Sequence, residues 1–142
     1  MMNNDATMTV LVVEPGKTPY EKQIEQGIES LQKAVGGHVQ CMYPFEDLIG
    51  ILCDEEGKYK GYPLNRALRD EDGEIYDVIA GTFLVIGLSS DNFASLPDEL
   101  LEKYKAFFRY PEIFFWHNEK IEVLTVKPRN HSGEEGITLC KL

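Results

Sequence analysis

Basic residues are in short supply: 14 Lys and Arg stand against 24 Asp and Glu, a formal charge of -10. Non-specific binding to duplex nucleic acid or to an anionic membrane rests on a basic surface. The balance argues against direct binding to either and leaves only local basic sites. Cysteine is sparse as well. Cys41, Cys53 and Cys140 are odd in number and widely spaced, unlike the disulfide framework of a small secreted domain, and they point to a reducing compartment. The longest apolar run, Val78 to Leu88, is broken by Gly81 and Gly87 and falls short of the ~18 residues of a membrane-spanning helix. The opening Met1-Met2-Asn3-Asn4-Asp5 has neither the basic nor the apolar region of a signal peptide. A cytoplasmic protein is therefore expected.

What is present suits one globular domain. A chain of 142 residues with 43% hydrophobic residues can bury roughly 70% of its unfolded surface, enough for a core without disulfide or metal. Met8 to Val13 is a β-branched run that predicts a buried strand. Thr18-Pro19-Tyr20-Glu21 has the pattern of a capping box, and Tyr20, Ile24, Ile28, Leu31 and Val35 follow at helical spacing. A helix is expected from Thr18 to Val35, stopped by Gly36-Gly37. Strands are expected at His38 to Met42, at Ile49 to Cys53 and at Lys58 to Tyr62, the last two around an acidic turn. Pro63 to Arg69 fits either a short helix or an extended bend. After the turn at Asp70 to Gly73, Ile75 to Ile79 and Gly81 to Ile86 form one bulged strand or two. A second helix follows Ser95 and ends at Tyr110-Pro111. A hairpin of Ile113 to Trp116 and Lys120 to Val126 comes last. The pattern is α+β: a mostly antiparallel sheet of about seven strands with two principal helices, in a single domain over 8–126. Residues 127–142 form a polar tail with an edge strand at Ile137 to Cys140.

Few motifs survive inspection. Glu14-Pro15-Gly16-Lys17-Thr18 ends like a phosphate loop, but the first glycine of Gly-x-x-x-x-Gly-Lys-Ser/Thr is Leu11 here, and Pro19 removes an N–H. Nucleotide hydrolysis is not expected at this loop, although Lys17 remains a candidate for holding one anionic group. Asp70-x-Asp72-Gly73 lacks the rest of a calcium-loop ligand ladder, and His38-x-x-Cys41 has no second pair to complete a zinc site. No Gly-x-Ser-x-Gly elbow occurs, and His117 has no assignable partner. No catalytic constellation, metal or cofactor is implied.

Arg66 and Arg69 are the remaining candidates. In a helix they share a face and can grip phosphate or carboxylate; in a strand a spacing of three separates them. The competing view pairs them with Asp70, Glu71 or Asp72 as surface ion pairs worth ~1 kcal/mol or less, and on the ligand-site view too replacing both with alanine is expected to leave the fold intact. Tyr59, Tyr62 and Asn65 lie alongside, and an aromatic plane beside a guanidinium suits a base or nucleotide.

Three ordered segments carry a resemblance: Val10-Leu11-Val12-Val13-Glu14-Pro15-Gly16-Lys17, Gly61-Tyr62-Pro63-Leu64-Asn65-Arg66-Ala67-Leu68-Arg69, and Gly73-Glu74-Ile75-Tyr76-Asp77-Val78-Ile79-Ala80-Gly81-Thr82-Phe83. Over Thr9 to about Phe108 the chain resembles the domain of unknown function 3846 family, small proteins of phages and conjugative elements. The resemblance implies a mobile-element context and brings no catalytic residues. Three readings follow. The first is a non-catalytic counter-defence protein that sequesters an anionic nucleotide-like ligand through Lys17, Tyr59, Tyr62, Asn65, Arg66 and Arg69. The second is an acidic module, imitating DNA, that inhibits a host DNA-binding or defence protein. The third is an enzyme whose active site the residues do not reveal. Homo-oligomerisation stays open.

Overall fold

A computed structural model describes residues 7–90, 92–129 and 135–140, with side chains up to residue 127. Readings placed on residues 1–5, 130–134 and 141–142 lie outside these. The core is an antiparallel sheet in the order β2-β1-β7-β4-β3, formed by β1 (Thr7–Val13), β2 (Tyr20–Glu25), β3 (Val39–Met42), β4 (Ile49–Asp54) and β7 (Phe83–Leu88), with the short β8 (Phe93–Ala94) on β7. Strands β1, β4 and β7 read as near-continuous apolar runs because both their faces are covered. Leu11, Val13, Ile49, Ile51, Phe83 and Val85 face one side, where helix α2 (Asp98–Phe107) packs through Leu101 and Tyr104. Met8, Val10, Val12, Leu52, Leu84 and Ile86 face the other, under Leu31 and Val35 of helix α1 (Ile28–Val35). Each such buried side chain stabilises the fold by about 1.5–3 kcal/mol.

Two further sheets complete the fold. Strands β5 (Leu64–Arg69) and β6 (Ile75–Ala80) form a two-stranded ribbon, and β9 (Glu112–His117), β10 (Lys120–Arg129) and β11 (Glu135–Cys140) a three-stranded sheet in the order β11-β10-β9. The ribbon packs against the central core on one face and the three-stranded sheet on the other. Leu68 and Ile79 join the α2-side core, while Ala67 and Val78 meet Val123 and Phe114 of the outer sheet. All pairings among the described residues are antiparallel, and with two helices the chain is α+β.

Two expected elements are corrected. The helix from Thr18 to Val35 is a strand followed by a helix: Tyr20–Glu25 pairs with β1 along its whole length, and the helix begins only at Ile28. Thr18 is exposed and caps no helix. The open edge of β1 needs partners for its backbone groups, and this demand overrides the helical spacing of Tyr20 and Ile24. Gly27, at φ 122, turns the chain between the two elements in a conformation that an L side chain rarely adopts. Lys58 to Tyr62 is likewise a coil and not a strand. It wraps the buried Asp54, whose Oδ2 accepts from Lys60 Nζ at 2.6 Å.

The segment left open between helix and bend, Pro63 to Arg69, is mostly β5. Of the two alternatives for Ile75 to Ile86, one bulged strand or two, the structure has two, in different sheets and parted at Gly81.

Candidate functional site

Strand β5 is irregular at two points. Its register with β6 shifts between Leu64 and Arg66, leaving Asn65 unmatched, and again between Leu68 and Arg69, leaving Tyr76 unmatched on β6. Bulges add local twist and re-aim side chains. Arg66 and Arg69, which a regular strand would hold apart, both line one cleft of about 730 Å³. Its other walls are the β5–β6 turn (Asp70, Glu71, Gly73), Tyr76, the end of α2 (Phe107, Phe108), Tyr110 and Glu112. Phe45 lies against Tyr104, Phe107 and Phe108 at ring-centroid distances of 5.0–6.1 Å, so part of the wall is an aromatic cluster.

The two arginines differ in kind. Arg66 is 1% exposed. Its Nε and Nη2 donate to the Phe108 carbonyl at 3.1 and 2.8 Å, Nη2 also to the Lys17 carbonyl at 2.8 Å, and Nη1 to Asn65 Oδ1 at 2.9 Å and the Asn65 carbonyl at 3.4 Å. These contacts occupy all five guanidinium N–H groups. Burial pulls the Arg66 pKa down and the nearby Glu112 charge offsets part of this. Phe108 is the C-cap residue of α2, so its carbonyl accepts at the helix end where the dipole favours a cation. Asn65 Nδ2 completes the knot by donating to the Val13 and Gly81 carbonyls at 2.9 and 2.8 Å. Asn65 and Arg66 thus tie the end of β1, the Lys17 loop, the β6–β7 turn and the end of α2 together. The view of Arg66 as a surface ion pair is corrected, and with it the expectation that an Arg66/Arg69 double alanine keeps the fold intact.

Arg69 is held loosely. Its side chain is 28% exposed, and Nη1 reaches Glu112 Oε2 at 3.4 Å. Nη2 is buried and has no hydrogen-bond partner among the described residues. Glu112 spends its other oxygen on the Ala67 N–H at 2.9 Å, which caps the outer edge of β5 with a carboxylate in place of a strand.

The other expected site residues lie elsewhere. The Lys17 side chain is 67% exposed and pairs with Glu14 at 3.4 Å; only its backbone meets Arg66. Tyr59 is 94% exposed and does not line the cleft. Tyr62 packs beneath Gly36 and Gly81 and lines a separate hollow of about 400 Å³. Asn65 is a buried structural group. Tyr76, Tyr110 and Glu112 stand in the cleft instead. Tyr76 lies inside a quoted motif and Tyr110 beside a helix stop, but no local pattern marks Glu112, because the fold alone brings β9 to β5. Among the described residues no cluster of His, Cys, Asp and Glu is arranged for a metal ion, and no described helix is long and apolar enough to cross a membrane.

Residues 8–109 match the family model described as Domain of unknown function (DUF3846). The chain belongs to this family. No curated protein and no solved structure matches it. The DUF3846 match takes in β1 to β8 and α2; Tyr110 and Glu112, which complete the cleft, come from the segment that follows.

Proposed function

We propose that this DUF3846 protein is a non-catalytic accessory protein of a phage or mobile element. It binds and sequesters an anionic nucleotide-like ligand in the cleft between the β5–β6 ribbon, the end of α2 and β9, and in doing so blunts a host defence. The observation that carries this reading is Arg69, which lines a cleft walled by aromatic rings and whose Nη2 has no hydrogen-bond partner among the described residues. A guanidinium with a free N–H edge suits a phosphate oxygen, and the exposed Tyr76 offers a face for a base. Arg69 is anchored through one long bond to Glu112, so its fork can turn toward a ligand. Arg66 supplies charge and holds the walls in place; it offers no hydrogen bond. Arg69 replaces the six-residue set as the group that meets the ligand.

Thermal unfolding with a panel of nucleoside phosphates tests the reading, because a ligand that binds only the native state raises apparent stability by RT ln(1 + [L]/Kd). An upshift in the wild type that Arg69→Gln lacks is expected. An absent upshift across the panel, or one that Arg69→Gln keeps in full, overturns it.

A further inference from the structure

Most charged groups lining the cleft are already committed. Arg66 and Arg69 line it together with the carboxylates of Asp70, Glu71 and Glu112. Arg66 spends its donors on oxygens of Phe108, Lys17 and Asn65. Glu112 spends one oxygen on the Ala67 N–H and the other on Arg69 Nη1. Asp70 Oδ1 accepts from the Asp72 and Glu74 N–H groups at 2.9 and 3.0 Å and so holds its own turn. Two groups remain. Arg69 keeps its Nε/Nη2 edge and one N–H of Nη1. Glu71 is exposed and makes no hydrogen bond or ion pair among the described residues.

These two groups and an exposed ring come from a single hairpin. Arg69 ends β5 and pairs with Ile75, Glu71 lies in the turn, and Tyr76 is the unmatched residue beside Ile75. Tyr76 is 57% exposed, and all three side chains line the cleft. A guanidinium edge suits a phosphate and an open ring suits a base. A carboxylate can only accept, so the edge of a base that meets Glu71 has to donate. Guanine presents two adjacent donors, N1–H and the N2 amino group, which one carboxylate takes together as it takes the fork of an arginine. Adenine presents a bare N1 beside its amino group, and that lone pair would face a negative charge.

Resting on the nucleotide-binding reading above, we infer that the cleft takes guanine nucleotides, with the phosphate on Arg69, the base over Tyr76 and its donor edge on Glu71. Titration calorimetry on the full chain tests this with 5′-GMP, 5′-IMP and 5′-AMP. The three carry the same charge, so attraction to Arg69 cancels from the comparison. IMP keeps N1–H and lacks the N2 amino group. GMP is expected to bind about tenfold tighter than AMP, with IMP between them, because each hydrogen bond to a charged acceptor on a partly exposed turn adds a modest preference. Glu71→Ala is expected to level the three, holding AMP at least as well as the wild type does, since a negative charge has gone. Arg69→Gln is expected to weaken all three. An order that is level or reversed in the wild type, or a GMP preference that survives Glu71→Ala, overturns the guanine inference; if Arg69→Gln still weakens binding, the nucleotide site stands. No binding of any probe, or binding that Arg69→Gln leaves intact, overturns both.

Discussion

Replacing Arg66 with alanine separates a structural arginine from a ligand-facing one. The substitution removes five donated hydrogen bonds and strands the Phe108 and Lys17 carbonyls and Asn65 Oδ1 in a region where Arg66 itself is 1% exposed. Each buried acceptor left without a donor costs about 1–3 kcal/mol, and a cavity adds to this. Relief of the buried cation's desolvation works in the other direction. The net loss is expected at about 3–5 kcal/mol, the range for breaking a buried charged network from one side. For a chain of 142 residues a loss of that size lowers the melting temperature by roughly 10 °C or more. Arg66→Lys should recover little, since an ammonium cannot reproduce the planar fork. Arg69→Ala is the internal control. Its single long contact to Glu112 is partly exposed, so the loss should stay under ~1 kcal/mol. Equilibrium urea unfolding and calorimetry of both variants read the difference. An Arg66→Ala midpoint that moves no further than that of Arg69→Ala would refute the assignment of Arg66 to the framework.

Two other substitutions or treatments probe the surroundings. Gly81 sits at φ 84, and an added Cβ would lie 2.5 Å from Tyr62 Cδ2; Gly81→Ala should therefore cost at least ~2 kcal/mol in urea unfolding, and a loss below ~0.5 kcal/mol would contradict the packing described. Burial, with help from Asp77 and Asp54, pushes the Cys53 thiol from 9.0 up to about 11. The folded state then holds its proton more tightly than the unfolded state, so the stabilisation linked to this thiol is complete below pH 9 and is lost as the pH rises through about 11. Iodoacetamide at pH 8.5 should leave Cys53 unmodified in the native protein and alkylate it readily in urea, as peptide mass spectrometry would show; equal rates would disprove the burial.

Much of the fold was legible because it rests on local chemistry. The apolar run at Val10–Val13, the periodic apolar residues of α2, the Asp70–Gly73 turn and the β9–β10 hairpin each carry their own signal within a few residues. The alternation of Leu11 and Val13 with Val10 and Val12 even separates the two faces of the central sheet. Local signals failed where a non-local backbone partner decided the outcome. Tyr20–Glu25 has helical spacing and a plausible cap, yet the hydrogen-bonding edge of β1 claims it for the sheet. The candidate site was half visible. Arg66 and Arg69 stood out by their type and spacing in an acidic chain, but whether a guanidinium is spent or free depends on which carbonyls surround it. Phe108 lies 42 residues from Arg66 and Lys17 lies 49. The amino-acid sequence by itself determined β1, β3, β4 and the β9–β10 hairpin, the Asp70–Gly73 turn, the acid–base balance and which cations were available. Only the tertiary structure decided which arginine is a tie and which is open, because the acceptors that satisfy Arg66, and the Glu112 that half-satisfies Arg69, are brought there by the packing of α2 and β9 against β5.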